Sequence, residues 1–244
     1  MKYPCLIVLL ATLSATAQPW PSDDSSKFGL VGWWTFNEGT GTVANDYSGM
    51  GKSGYLTNSP LWSPGAIGSG LNFKAGSNSI AIFPAMTNPP NPVSICWWQN
   101  PIAAYNSATI RAIWGQKVLP TGPELSCQVY SDNNWYVGWN TSLDKRVALA
   151  ASAANWITNA WHLYAFISTT NNSVLYMDGI GIATNASAPV TASISAPFMV
   201  GTYAINENGR SGLIDDVRIY NRALSAAEVA GLYWETASQW KQGP

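Results

Sequence analysis

Two adjacent aspartates, Asp215 and Asp216, interrupt an otherwise apolar and β-branched run at 212–220, GLIDDVRIY. Strand alternation sets Asp215 with Val217 and Ile219, and Asp216 with Arg218 and Tyr220. A carboxylate on the apolar side costs several kcal/mol unless a cation or hydrogen-bond donors meet it. Calcium is one cation that fits, because it takes about six to eight hard oxygens from carboxylates, amide side chains and turn carbonyls. Asp46 offers a second carboxylate in NDYSG (45–49), and Gly49, Gly51 and Gly54 leave backbone carbonyls free to turn inward. A Ca2+ site would therefore draw first on Asp46 and Asp215, then on Asn45, Glu38 and Asp216. The competing reading makes Asp46 the head of an Asx-turn and lets Asp215 accept backbone N–H groups.

Catalytic chemistry has less to draw on. Retaining glycoside hydrolysis needs two carboxyl groups about 5 to 5.5 Å apart, but Glu38, Glu124, Glu207, Glu228 and Glu235 are scattered singly. His162 follows Trp161 in a predicted strand, and no Gly-x-Ser-x-Gly elbow accompanies it, so a structural role is expected. Aromatic side chains beside Asn and Asp suit sugar rings, whose C–H faces stack while their hydroxyls hydrogen-bond. The loop 130–136 and the stretch 203–210 carry that mixture, with Trp135 and Tyr136 as the candidate ligand contacts. Most of the 13 Trp residues occupy strand positions, where packing is their ordinary use.

The composition narrows the classes of partner. With 12 Lys and Arg against 13 Asp and Glu and neither sign clustered, the chain lacks the basic footprint of a nucleic-acid or anionic-membrane binder. Only 10% of residues are charged, against about 25% in an average domain, so the surface must be neutral-polar. Lys2, an apolar run over 6–13 and Ala15-Thr16-Ala17 have the form of a signal peptide cut after Ala17, which predicts a secreted protein. The run is too short to span a bilayer, and no other stretch approaches about 20 apolar residues. Cys5 leaves with that segment. Cys96 and Cys127 remain as an even pair in an oxidising compartment, where a disulfide or two buried thiols are both open.

From residue 28 onward, short β-branched and aromatic runs alternate with Gly, Asn, Pro and Ser clusters, the pattern of an all-β sandwich. Strands are expected at 30–36, 70–73, 79–82, 93–98, 110–116, 125–130, 135–139, 161–168, 173–177, 197–201 and 212–220. Asp178-Gly179 marks a two-residue hairpin. Ser225 and Glu228 form a capping box for one short helix of about nine residues, with Val229, Leu232 and Tyr233 as its apolar stripe. Nothing after Trp234 suggests further folded structure. The expected organisation is a signal peptide at 1–17, a polar leader at 18–27, one domain at 28–236 and a tail at 237–244.

LVGWWTFNEGTG (30–41), NDYSG (45–49), VSICWW (93–98), Trp161-His162, LYMDG (175–179) and GLIDDVRIYNRALS (212–225) occur in the order seen in laminin G-like, concanavalin A-like jelly rolls, and the chain resembles that family over about 28–234. The resemblance implies a two-sheet antiparallel jelly-roll sandwich, and a calcium ion held between the early loop and the closing strand. The region 101–159 follows the family loosely, and the two cysteines stand outside its pattern. The expected function is a secreted, non-catalytic recognition module that binds a glycan or a cell-surface protein. The alternatives are a divergent polysaccharide hydrolase or lyase, and a structural adhesion protein.

Overall fold

The structure, a computed structural model, describes residues 25–74, 79–86, 91–102, 111–118, 122–130, 132, 134–140, 145–150, 156–189, 191, 194–202 and 212–240. The expected signal peptide, most of the leader, the end of the tail and the stretch 203–210 lie outside the described residues. Among those described, no helix is long and apolar enough to cross a membrane.

Two antiparallel sheets of eight strands each face one another. In the first sheet the order is β14 (Ile180–Asn185), β13 (Ser173–Met177), β12 (His162–Ser168), β7 (Val93–Asn100), β16 (Gly212–Tyr220), β5 (Ser69–Phe73) and β4 (Leu61–Pro64). Its eighth strand, β1 (Leu30–Trp34), pairs with the C-terminal half of β16, while β5 pairs with the N-terminal half. The second sheet runs β11 (Val147–Ala150), β10 (Asn134–Asn140), β9 (Glu124–Val129), β8 (Arg111–Lys117), β15 (Phe198–Val200), β6 (Ile80–Phe83), β3 (Gly54–Thr57) and β2 (Val43–Ala44). The jelly-roll expectation holds. Beyond the expected strands there are β2, β3, β4 and β11, each of four residues or fewer.

The main core lies between the sheets and is dominated by aromatic rings, including Trp34, Trp97, Trp114, Trp135, Trp139, Phe83, Phe166 and Phe198. A second core forms on the outer face of the first sheet, where Cys96, Trp98, Leu163 and Ala165 meet Val229, Leu232 and Ala237 of α1 (Ala226–Trp240). The capping box closes as expected: Glu228 N–H donates to Ser225 Oγ at 3.2 Å and Ser225 N–H to Glu228 Oε2 at 2.7 Å. The helix is longer than the sequence suggested, with 15 residues, and Thr236 and Ala237 beyond Trp234 are buried. Asp178 and Gly179 both have positive φ, at 52° and 82°, which gives the tight β13–β14 turn its primed geometry.

The disulfide expectation is corrected. Cys96 and Cys127 are free thiols, and both are buried. Cys96 points from β7 to the outer core beneath α1, whereas Cys127 points from β9 into the core between the sheets. A sheet thus lies between the two side chains. Burial pushes the Cys96 thiol up to about 12, and it raises Cys127 as well, so neither is a ready nucleophile.

Candidate functional site

Expected metal ligands fall into two groups, joined through Trp33. Asp46 is the head of an Asx-turn: its Oδ1 accepts Ser48 N–H at 2.9 Å and Trp33 N–H at 3.1 Å, and its Oδ2 accepts Lys52 N–H at 2.8 Å. Burial works to raise its pKa, but the donors of Ser48, Lys52 and Trp33 outweigh that and hold it below the usual aspartate value. Beside it, Glu38 Oε1 accepts the backbone N–H and the side-chain amide of Asn45, at 2.7 and 3.1 Å.

Asp215 and Asp216 sit on a bulge that alternation alone does not foresee. Asp215 pairs with Trp98 and Arg218 with Cys96, so two residues of β16 stand opposite Trp97 alone, and Asp216 has φ 45°. The bulge turns Asp215 away from Val217 and Ile219 onto the outer side of the sheet. There it is fully buried under the β4–β5 turn. Asp215 Oδ2 accepts Ile67 N–H at 2.9 Å and Oδ1 accepts Asp216 N–H at 2.7 Å. Gly65 is required for this approach, since a Cβ there would lie 2.5 Å from Asp215 Oδ2. Burial, then the neighbouring Asp216 charge, push Asp215 well above the usual carboxylate range, against the N–H donors of Ile67, Asp216 and Ala66. Asp216 pairs with Arg218 at 3.0 Å and accepts the Trp33 indole N–H at 2.6 Å.

This donor set does not fit a calcium shell. The carboxylates of Asp46, Asp215 and Asp216 are taken up by N–H groups, with the Ser48 hydroxyl also on Asp46. Among the described residues no three His, Cys, Asp or Glu side chains converge on one point.

The outer face of the second sheet presents a different arrangement. Alternation along β9 puts Leu125, Cys127 and Val129 in the core and Glu124, Ser126 and Gln128 outside, where β10 adds Tyr136 and Asn140. Glu124 Oε1 is the hub. It accepts Gln128 Nε2 at 2.9 Å, Ser126 Oγ at 3.2 Å, Asn140 Nδ2 at 3.2 Å and Arg146 at 3.4 Å, while Lys117 lies 3.6 Å from Oε2. The Arg146 guanidinium stands 4.9 Å from the Tyr130 ring centre and 4.7 Å from that of Tyr136, and it also donates to Tyr130 OH at 3.0 Å. Tyr136 OH donates to Asp132 Oδ2 at 2.7 Å, a bond that holds the Asp132 carboxyl below and the Tyr136 phenol above their ordinary values. Gln128 is fully buried, yet its Oε1 has no hydrogen-bond partner among the described residues.

Of the two expected sugar contacts, only Tyr136 faces this surface. Trp135 is corrected: it pairs with Val129 and Leu149 on the inward side, is fully buried, and donates its indole N–H to Cys127 Sγ at 3.0 Å. Glu124, Ser126, Gln128, Tyr130, Asn140 and Arg146 were missed as a set. The signal was the strict polar alternation of ELSCQVY at 124–130. His162 Nδ1 stands 2.6 Å from Asp178 Oδ2 across the β12–β13 pair.

A family profile described as the concanavalin A-like lectin/glucanases superfamily matches residues 74–230. A search of curated proteins by sequence found no match. Among solved structures, the binding domain of botulinum neurotoxin DC in complex with SialylT superposes with a TM-score of 0.68 at 14% identity, over 87% of this chain and 52% of that one. Trypanosoma rangeli sialidase, in complex with 2,3-difluorosialic acid as the covalent intermediate, gives 0.63 at 14% identity over 84% and 33%. Domain 4 of AbnA, a GH43 extracellular arabinanase from Geobacillus stearothermophilus, in complex with arabinotriose, gives 0.58 at 20% identity over 84% and 98%. The chain thus spans about a third of the sialidase and about half of the toxin fragment. At these identities the likeness is one of fold.

Proposed function

The chain belongs to the concanavalin A-like lectin/glucanases superfamily, and from that premise we propose that it is a secreted recognition module that binds carbohydrate on the outer face of the second sheet. The observation that carries this reading is the network around Glu124, with Tyr130 and Tyr136 clasping Arg146. Its donors and acceptors are held in place before any ligand arrives, which lowers the ordering cost of binding. Tyrosine offers a flat apolar body and a polar tip, suited to the C–H faces and hydroxyls of a sugar. Solved neighbours of the same fold hold SialylT and arabinotriose, which supports carbohydrate as the ligand class.

Recognition suits this face better than hydrolysis. Glu124 is its central carboxylate, and the other carboxylate described there, Asp132, is held by Tyr136. Retaining hydrolysis would need a second carboxyl group about 5 to 5.5 Å from the first. The test is a glycan array probed with the wild-type protein and with Tyr136→Ala. Binding to a defined glycan that disappears in the variant is the expected result. Equal binding by both proteins, or hydrolysis of the bound glycan, overturns the assignment.

A further inference from the structure

On the opposite side of the molecule, the outer face of the first sheet is only partly covered by α1. A cleft of about 280 Å³ remains between β1, the bulge of β16 and the last turns of the helix, lined by Trp33, Thr35, Asn37, Ile67, Asp216, Arg218, Glu235 and Gln239. Trp33 comes from β1 and Thr35 and Asn37 from the segment just beyond it, while Glu235 and Gln239 stand at the helix interval of four. The cleft is smaller than a typical drug-sized site and would hold a single ring.

Its chemistry is unevenly balanced. Arg218 is buried and already engaged, donating to Asp216 at 3.0 and 3.2 Å with its guanidinium 4.7 Å from the Trp33 ring centre. Asp216 is spent on that pair and on the Trp33 indole. Glu235, exposed on the rim, interacts electrostatically with the Arg218 guanidinium but, among the described residues, does not share the close ion pair that Asp216 makes with it. The lining therefore carries two carboxylates against one guanidinium. Trp33 and Ile67 give apolar surface, while Thr35, Asn37 and Gln239 supply hydroxyl and amide groups. Asn37 is fixed by accepting Ser69 N–H at 2.8 Å.

We propose that this cleft is a second binding site, for a protonated amino sugar whose ammonium pairs with Glu235 while its ring lies against Trp33 and Ile67. A neutral sugar would leave the excess of one carboxylate over the single guanidinium uncompensated, and an anion would add to that excess. Adding salt weakens the interaction, because Glu235 lies at the solvent boundary.

The experiment is calorimetry of the protein with glucosamine, N-acetylglucosamine, glucose and free lysine, with NMR shifts followed at Asn37, Gln239 and the Trp33 indole N–H. Glucosamine is expected to bind and to shift those resonances. N-acetylglucosamine, glucose and lysine should each bind at least about tenfold more weakly, and Glu235→Gln should weaken glucosamine by about tenfold, the equivalent of one charge-assisted hydrogen bond. Glu235 is exposed, so the variant folds. Equal binding of glucose or N-acetylglucosamine overturns the cation, equal binding of lysine overturns the sugar, and an absence of binding by all four overturns the site. Tyr136→Ala lies on the other face and must leave glucosamine binding unchanged, which separates this site from the one proposed above.

Discussion

The two outer faces of the sandwich obey the same strand alternation and put it to opposite uses. On the first sheet the outward residues Cys96, Trp98, Leu163 and Ala165 are apolar and are roofed by α1, and the charges there form one compact group around the bulge of β16. On the second sheet the outward residues of β9 and β10 are polar and, among the described residues, are tied to one another. Glu124, Ser126 and Gln128 are themselves buried, so a ligand would meet this face through the half-buried Tyr130, Tyr136 and Asn140. The contrast also separates the carboxylates by purpose, with Asp215 and Asp216 holding the bulge of β16 and Glu124 tying together the polar residues of the second sheet.

The sharpest way to break this comparison is to remove each hub. Asp215→Ala strands buried N–H groups of Ile67, Asp216 and Ala66, and should cost about 3 kcal/mol or more in chemical denaturation. Glu124→Ala leaves Arg146, Gln128 and Asn140 without their common acceptor, and a similar loss of about 3 kcal/mol is expected. Glu124→Gln keeps an acceptor oxygen and should recover most of that stability. If Glu124→Gln is as unstable as Glu124→Ala, the face is held by charge alone.

Acid titration sharpens the contrast within the aspartates. Asp46 has a folded pKa below its unfolded 3.8, so its contribution is fully present above that value and is lost as pH falls through the folded one. Asp215 has a folded pKa raised above 3.8, so the folded state holds the extra proton and stability declines as pH rises from 3.8 through the raised value. Asp215→Asn should flatten that second limb in thermal melts while leaving the acid limb of Asp46 in place.

Smaller effects follow. Cys96 and Cys127 should react with a thiol reagent only after unfolding, and one modified thiol in the native protein would contradict their burial on two separate faces. Calcium and a chelator should give the same melting temperature, because the expected ligands face N–H donors. A tight calcium site at 100 times its Kd would instead add about 2.7 kcal/mol.

Much of the fold could be read from local chemistry. The Asp178-Gly179 turn, the Ser225–Glu228 cap and the long β-branched runs each have a local physical cause that survives in the folded chain. What escaped had a cause elsewhere. Val43–Ala44 and Leu61–Pro64 are strands only because β3 and β5 pair with them. The bulge at Asp216 depends on β7 and on Gly65, and neither is visible within GLIDDVRIY. The last turns of α1 lack a strong apolar stripe, and Thr236 is held by donating its hydroxyl to Leu232 O at 2.7 Å and by accepting the Trp98 indole N–H at 3.2 Å. Composition alone groups Trp135 with Tyr136, although adjacent strand residues point to opposite faces. The same rule applied to 124–130 would have found the Glu124 face.

The most direct test of the central claim is calorimetric titration, with the first glycan found on an array, of the wild-type protein, Tyr136→Ala and Glu235→Gln, each with its thermal melt. Tyr136 is half-buried at the surface, so its truncation should cost under about 1 kcal/mol of stability. The account predicts near-native melting for all three proteins, with binding lost in Tyr136→Ala and retained in Glu235→Gln. Binding retained in a well-folded Tyr136→Ala would contradict it and move the recognition surface away from the second sheet.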